Sequence, residues 1–129
     1  MLKGLAVLLM IIAADTLTVG VHARKHVRVT NLLGKDAVLY LHCRSRDDDL
    51  GLHVLRFLQF QEWSFNNNIG GTTLFWCSLQ WNDKQRSIEV YNYERDNKDC
   101  SSYCWRFLEP DGAYFYIENT RQWEHRYSW

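Results

Sequence analysis

Apolar and polar residues alternate with a period of two along several stretches of this chain, as in β-strands that bury one face. Val27 and Val29 alternate with polar neighbours, and so do Trp63 and Phe65. The segment 37–43 is apolar on both faces, which is typical of a central strand. Runs rich in Gly, Asn, Asp or Pro separate such stretches at 34–36, 66–71, 82–85 and 109–112. No long segment keeps the helical period of about 3.6 residues, so the pattern predicts an all-β fold, an antiparallel β-sandwich of about seven to eight strands.

Residues 1–23 have the composition of a secretory signal peptide. Lys3 supplies a positive charge, an apolar run follows at 5–14, and the small residues Val21 and Ala23 stand at the −3 and −1 positions of a cleavage site. We therefore expect cleavage after Ala23, secretion to the extracellular space, and a single folded domain over residues 24–129. No later run is long and apolar enough to span a bilayer, so we expect no membrane insertion.

Four cysteines lie after the expected signal peptide, at Cys43, Cys77, Cys100 and Cys104. An even number in a secreted chain predicts two disulfides, each of which would stabilise the fold by about 2–4 kcal/mol. Three connectivities are open. The spacing slightly favours Cys43 with Cys104 and Cys77 with Cys100, because a bridge between Cys100 and Cys104 would not tie distant strands together.

The charge of the chain is balanced, with 15 basic and 15 acidic side chains. Loss of the signal peptide would remove Lys3 and Asp15, which leaves the formal net charge at zero. A nucleic-acid binder needs a basic excess to displace the counterions of phosphates, and attachment to an anionic membrane surface needs a polybasic segment. We therefore expect no nucleic-acid partner and no membrane-surface partner. We also expect no cofactor and a monomeric protein.

The sequence offers no motif for catalysis. Of the histidines after residue 23, His53 could meet Glu62 across neighbouring strands, as a nuclease or acyl-transfer site would need. Neither a G-x-S-x-G nor an H-E-x-x-H motif is present, and a cysteine nucleophile would be lost to a disulfide. We therefore predict that the protein has no catalytic residues and is not an enzyme.

Two sets of residues suggest a metal site, and neither has suitable spacing. His42, Cys43 and Cys77 could be zinc ligands, but adjacent residues of a strand point to opposite faces. The triplet 47–49 is rich in carboxylates, but calcium loops space their acidic ligands at alternate positions and add a distal glutamate. No metal site is therefore expected.

The acidic triplet is better explained as a turn. Asp47, Asp48 and Asp49, together with Gly51, are expected to fix a structural turn by pairing with Arg44 and Arg46 and by accepting backbone N–H groups.

Four motifs together resemble the plant self-incompatibility protein family, the S-protein homologues. They are the run HCRSRDDDLG at 42–51, Trp63-Ser64-Phe65, the run TLFWCSLQW at 73–81, and the pair Cys100 and Cys104 followed by Trp105. The resemblance implies a small secreted β-sandwich with two disulfides. It also implies a possible function, because the founding members, in poppy, are stigma-secreted ligands that meet a membrane receptor on self pollen and trigger calcium signalling and growth arrest. The chain has no N-glycosylation acceptor, in contrast to some members.

The first functional hypothesis is accordingly a secreted signalling ligand that binds an unidentified cell-surface receptor. Specificity is expected in exposed polar loops on a rigid scaffold. The candidate partner-recognition loops are Asn82, Asp83, Lys84, Gln85 and Arg86, and Arg95, Asp96, Asn97, Lys98 and Asp99.

The alternative hypothesis is an extracellular carbohydrate-binding, lectin-like protein. The chain holds 6 Trp, 7 Tyr and 6 Phe. Most of these rings are expected to fill the core, and the excess permits an exposed stacking surface for a sugar. A coplanar pair of exposed rings would favour this alternative. A secreted nuclease acting through His53 is the third hypothesis.

Overall fold

The computed structural model describes residues 24–129, and within this range nine strands form two sheets. The expected signal peptide at residues 1–23 lies outside the described residues. The strands are β1 (Lys25–Asn31), β2 (Leu39–Arg44), β3 (Asp49–Leu55), β4 (Phe60–Phe65), β5 (Leu74–Trp81), β6 (Lys84–Asn92), β7 (Tyr103–Glu109), β8 (Gly112–Ile117) and β9 (Gln122–Ser128). One helical turn, α1 (Tyr93–Asp96), lies between β6 and β7. It was not predicted, and it begins where the Asn92 side chain accepts the N–H of Glu94 as an N-cap.

The strands lie in a five-stranded sheet of order β4-β1-β7-β8-β9 and a four-stranded sheet of order β3-β2-β5-β6. Neighbouring strands are antiparallel, except that β1 and β7 run parallel. The predicted all-β sandwich is confirmed, with one parallel pair and nine strands where seven to eight were expected. The additional strand, β9, lies at a sheet edge and is mostly exposed, so its sequence lacks a clear apolar face.

The core lies between the sheets and uses every second residue of the central strands. β1 contributes Val27 and Val29, and β2 contributes Leu39 and Leu41, all fully buried. Each such side chain stabilises the fold by about 1.5–3 kcal/mol. The residues between them point away from the core because side chains alternate along a strand. The period of two seen in the sequence therefore also decides which side chains form the two outer faces.

Both disulfides differ from the pairing that the spacing favoured. Cys43 is bonded to Cys77 and Cys100 to Cys104, so the predicted pairs Cys43–Cys104 and Cys77–Cys100 are wrong. Cys43 and Cys77 are direct partners on β2 and β5, with Cα atoms 4.0 Å apart. Cys104 lies on β7 in the other sheet, and its bond to Cys100 fixes the short loop before that strand. From loop length alone, the first bridge is expected to contribute about 4 kcal/mol and the second about 2 kcal/mol.

Candidate functional site

The acidic loop between β2 and β3 is a tight turn. The N–H of Ser45 donates to the carbonyl of Asp48 over 2.8 Å, and the N–H of Asp48 donates to the Ser45 hydroxyl over 3.1 Å. Asp47 faces Arg46 at 3.5 Å, and both side chains are exposed. The side chain that closes the turn is therefore that of Ser45, which was not among the predicted turn residues, and Asp48 contributes through its backbone.

Asp49 shapes the start of β3 with its carboxylate. Its Oδ1 atom accepts the N–H of Gly51 over 2.9 Å and contacts Nε2 of His42. The hydrogen bonds from Gly51 and His42 lower the pKa of Asp49. Gly51 has a φ of +80°, a left-handed conformation that disfavours residues with a side chain. Arg44, expected to pair with the aspartates, instead contacts Nδ1 of His42 at 3.2 Å.

The residues of the nuclease hypothesis are not brought together. His53 and Glu62 lie on strands of different sheets. Nε2 of His53 is 3.1 Å from the Leu50 carbonyl, and Glu62 accepts a hydrogen bond from Nε of Arg28 over 2.8 Å. The geometry of this pair therefore gives a general-base mechanism no support.

The residues of the two metal hypotheses are also arranged differently from a metal site. The sulfur atoms of Cys43 and Cys77 are bonded to each other, and Cys43 faces the core while the neighbouring His42 remains partly exposed. Among residues 24–129, no group of three or more His, Cys, Asp or Glu is placed to hold a metal ion.

The outer face of the four-stranded sheet forms a groove of about 580 Å³, here called the sheet groove. It is lined by Tyr40, His42, Leu52, Ser78, Leu79, Gln80, Gln85, Arg86 and Ser87. The strand register arranges most of these residues in two rows across the sheet, Tyr40-Gln80-Gln85 and His42-Ser78-Ser87. Strands in a sheet lie about 4.8 Å apart, so the side chains of one row are immediate neighbours.

One predicted recognition loop borders this groove. Asn82 and Asp83 form the two-residue turn of the hairpin between β5 and β6, and Lys84, Gln85 and Arg86 are the first residues of β6. All five residues are exposed. Asn82 has a φ of +51°, which asparagine tolerates better than most residues.

The other predicted recognition loop, Arg95 to Asp99, begins inside α1 and lies elsewhere. Asp96 is only 1% exposed, so the prediction that it belongs to an exposed loop is wrong. Lys98 is exposed, and Asn97 and Asp99 are partly buried. The two predicted loops are separated by β6, whose nine residues span about 30 Å, so they cannot form one contiguous site.

Asp96 is the centre of a buried charge network. Its carboxylate accepts hydrogen bonds from Nη2 of Arg95 over 2.7 Å and from the N–H of Asn92 over 2.8 Å. The guanidinium of Arg106, also 1% exposed, lies 3.6 Å from the same carboxylate and 3.9 Å from the centre of the Phe115 ring. Burial lowers the pKa of Arg106 to about 9, while the charge of Asp96 acts against this shift. Arg106 is therefore a buried cation at neutral pH.

Further contacts fix the segment that follows α1. The ammonium of Lys25 donates to the carbonyls of Asn97 over 3.0 Å and of Cys100 over 2.5 Å. The carboxylate of Glu118 accepts the Ser101 hydroxyl over 2.7 Å and the next two backbone N–H groups over 3.1 and 2.5 Å. Burial raises the pKa of Glu118, but these hydrogen bonds outweigh it and lower the pKa overall. The segment is therefore a rigid corner of the sandwich.

The outer face of the five-stranded sheet carries a set of aromatic rings, here called the aromatic face. Its members are His26, Tyr103, Trp105, Phe107, Tyr114, Tyr116, Trp123 and His125. Each ring contacts a neighbouring ring, with centroids 4.0–5.8 Å apart. Alternate positions of β7 and β8 supply five of these rings. This period of two is visible in the sequence, but it was not among the predicted site features.

Three rings of the aromatic face are exposed: Tyr103 at 48%, Trp123 at 38%, and His125. Trp123 stacks on Phe107 with centroids 4.0 Å apart and planes inclined by 25°, so one of its ring faces is covered. Tyr103 is tilted by 35° against Trp105. Each exposed ring therefore contacts a less exposed neighbour, and among residues 24–129 no ring–ring contact joins Tyr103 to Trp123.

The sequence model of the family described as plant self-incompatibility protein S1 matches residues 26–129. The chain belongs to this family. It is 41% identical to S-protein homolog 5 of Arabidopsis thaliana over 86 residues, which cover 67% of this chain and 66% of that protein. S-protein homolog 3 of Arabidopsis thaliana is 34% identical over 109 residues, covering 81% of this chain and 72% of the relative. Self-incompatibility protein S1 of Papaver rhoeas is 33% identical over 102 residues, covering 76% and 72%.

A solved structure of a self-incompatibility protein homologue supports the fold of the family. It is described as representing a widespread family of small, highly stable, secreted proteins from plants. It superimposes with a TM-score of 0.64 at 20% sequence identity, covering 82% of this chain and 94% of that one. The β-sandwich of this chain is therefore the fold of a solved member of its family. Among residues 24–129, no helix has the length and apolar character needed to cross a membrane.

Proposed function

We propose that this member of the S1 family is a secreted ligand that binds a cell-surface protein through the aromatic face. The observation that carries the proposal is the set of eight aromatic rings on one outer sheet face. Soluble monomers rarely leave large contiguous apolar patches exposed, and such patches with a polar rim are typical of protein-binding sites. Secretion is supported by the composition of residues 1–23, and the solved relative is described as secreted.

The aromatic face has the composition of a binding hot spot. Tryptophan and tyrosine are the residues that most often dominate binding energy at protein interfaces, since they bury a large area at a small cost in side-chain entropy. Ring–ring contacts hold these side chains in place before binding. Trp123 and Tyr103, the exposed Trp and Tyr rings of this face, are the expected anchors.

The rim of the aromatic face is charged and polar. The ion pair between Arg28 and Glu62 lies at one side, with 2.8 Å between Nε and Oε1. At another side, the backbone of Lys98 accepts a hydrogen bond from the Asn119 side chain over 2.8 Å. The exposed part of the second predicted recognition loop therefore borders the Tyr103 end of the face, and we propose that Lys98 contributes to specificity from this rim.

Binding to plasma-membrane vesicles tests the proposal. Labelled protein lacking residues 1–23 should bind saturably to vesicles from the plant tissue that responds to it, and protease treatment of the vesicles should abolish binding. Trp123→Ala and Tyr103→Ala should each weaken binding by about tenfold or more, as expected for hot-spot residues. Tyr40→Ala is the matched control, since Tyr40 is 46% exposed on the opposite sheet.

All variants should first be shown to keep the thermal midpoint of the parent protein. Unchanged affinity in both aromatic-face variants, or an equal loss in Tyr40→Ala, would contradict the proposed surface. Binding that survives protease treatment would contradict a protein partner.

A further inference from the structure

The sheet groove combines an apolar side with a polar side. Leu52 on β3 and the exposed ring of Tyr40 on β2 form the apolar side. Ser and Gln side chains on β5 and β6 form the polar side, at positions Ser78, Gln80, Gln85 and Ser87. A ligand that fits this groove must therefore have an apolar surface next to an edge of hydrogen-bonding groups.

The polar side has unused hydrogen-bonding capacity. None of the four Ser and Gln side chains forms a hydrogen bond with another side chain or backbone group among residues 24–129. Hydroxyl and amide groups each offer both a donor and an acceptor. An apolar ligand would bury these groups without partners at a free-energy cost, whereas a ligand with several hydroxyl groups would satisfy them.

The ring of Tyr40 is available for stacking. Within the described part of the chain it forms no ring–ring pair, in contrast to the exposed rings of the aromatic face. It is 46% exposed and lies directly beside Gln80 in the strand register. A sugar ring placed on this tyrosine would therefore lie within reach of the neighbouring amide and hydroxyl groups.

The charges near the groove favour a neutral ligand. The ring nitrogens of His42 are already engaged by Asp49 and Arg44, and no carboxylate lines the groove. Arg86 donates to the carbonyl of Gln85 over 2.8 Å, at the end of β6. Among the nine lining residues, Arg86 is the one side chain with a permanent charge, so a phosphate or a polyanion would meet a single lining cation there.

From these observations we infer that the sheet groove binds a neutral pyranose saccharide, with the sugar ring on Tyr40 and its hydroxyl groups on Ser78, Gln80, Gln85 and Ser87. A volume of about 580 Å³ lies in the usual range for small-molecule sites. The site is separate from the aromatic face and does not rest on the proposed receptor function. Sugar binding at this site would use one tyrosine beside a polar sheet surface, and not the coplanar pair of exposed rings expected from the sequence.

Isothermal calorimetry and amide chemical shifts with defined trisaccharides test this inference. Cellotriose, mannotriose and trigalacturonate should be titrated at up to millimolar concentrations into the protein lacking residues 1–23. At least one neutral trisaccharide should bind, with shifts confined to the four-stranded sheet, β2, β3, β5 and β6. Tyr40→Ala should weaken that binding by about tenfold, and Gln80→Ala by a smaller factor.

Two matched controls come from the opposite sheet. Tyr103→Ala removes a tyrosine of similar exposure, and Gln122→Ala removes an exposed glutamine of β9; neither should change saccharide affinity. The inference is overturned if neither neutral trisaccharide binds, if only trigalacturonate binds, or if Tyr40→Ala and Tyr103→Ala have equal effects. Loss of vesicle binding in Trp123→Ala with intact saccharide binding would support both sites, so the two proposals can fail separately.

Discussion

Replacing Asp96 by asparagine should destabilise the fold more than any exposed acidic substitution, because it removes one charge from a buried ion pair. The carboxylate is 1% exposed and accepts Nη2 of Arg95 at 2.7 Å, while Nη2 of Arg106 lies 3.6 Å away. Arg95 is partly exposed and can regain water contacts. Arg106 is 1% exposed and cannot, so its cation would stay buried after losing the Asp96 carboxylate at 3.6 Å.

The expected loss in the free energy of unfolding is about 3–5 kcal/mol, the usual result of removing one partner from a buried ion pair. Asparagine keeps an oxygen that can accept the N–H of Asn92, so the loss should come mainly from the missing charge. A domain of this size has a total stability of about 5–15 kcal/mol. Asp96→Asn should therefore leave a folded protein with a markedly lower denaturant midpoint.

Guanidinium chloride unfolding with intact disulfides provides the measurement, and Asp83→Asn, in an exposed turn, provides the control. The control should change stability by no more than about 0.5 kcal/mol. The double variant Asp96→Asn with Arg106→Met should lose less than the sum of the two single losses, since the orphaned cation is then absent. Two results would refute the buried ion pair as the cause of the destabilisation: a loss below about 1 kcal/mol in the free energy of unfolding of Asp96→Asn, or a loss in the double variant equal to the sum of the two single losses.

Three further predictions concern the turns and the disulfides. Gly51→Ala should lower the free energy of unfolding in urea by about 1 kcal/mol, because Gly51 has a φ of +80°; steric clash should not contribute, since an added Cβ would meet no atom within 4 Å. Gly51→Asn should lower it by less, because asparagine tolerates the left-handed conformation better than alanine. Equal losses in the two variants would contradict this explanation. Cys43→Ser with Cys77→Ser should lower the thermal midpoint more than Cys100→Ser with Cys104→Ser, as the loop-entropy values of about 4 and 2 kcal/mol require; the reverse order would contradict it. The pKa of Glu118 is lowered in the folded protein, so its carboxylate stabilises the fold at pH values above its unfolded pKa, near 4.5, and this stabilisation is lost as the pH falls through the folded pKa. Glu118→Gln should therefore reduce the dependence of the free energy of unfolding on pH in the acid range. An unchanged pH dependence would contradict this role of Glu118.

The alternation of buried and exposed side chains along strands could be predicted from the sequence, because it depends only on local backbone geometry. Val27 and Val29 are buried as their pattern indicates, and the all-β class follows from many such stretches. Strand order and disulfide pairing depend on which strands meet in space. Cys43 could be paired with Cys77 only once β2 and β5 were known to be neighbours, and spacing along the chain carries no such information.

The candidate surfaces were harder to predict for the same reason. Asp96 stands in a polar run that predicts an exposed loop, but Arg106, ten residues along the chain on β7, folds back against it and makes the carboxylate a core residue. Tyr103 and Trp123 are 20 residues apart in sequence and share a face only because β7, β8 and β9 are consecutive in one sheet. The high aromatic content is visible in the composition. Which of these rings lie in the core and which lie on a surface follows only from the pairing of the strands.

The two proposed surfaces lie on opposite sides of the sandwich, and the core separates them. Stacked sheets lie about 10 Å apart, so side chains on one outer face cannot contact those on the other. Val27 and Leu41, between the sheets, are fully buried and rigidly packed, so a ligand on one face has no evident route to displace residues on the other. A saccharide in the sheet groove would therefore leave Trp123 free to meet a protein, and a single small domain of this kind could hold a glycan and a receptor at the same time.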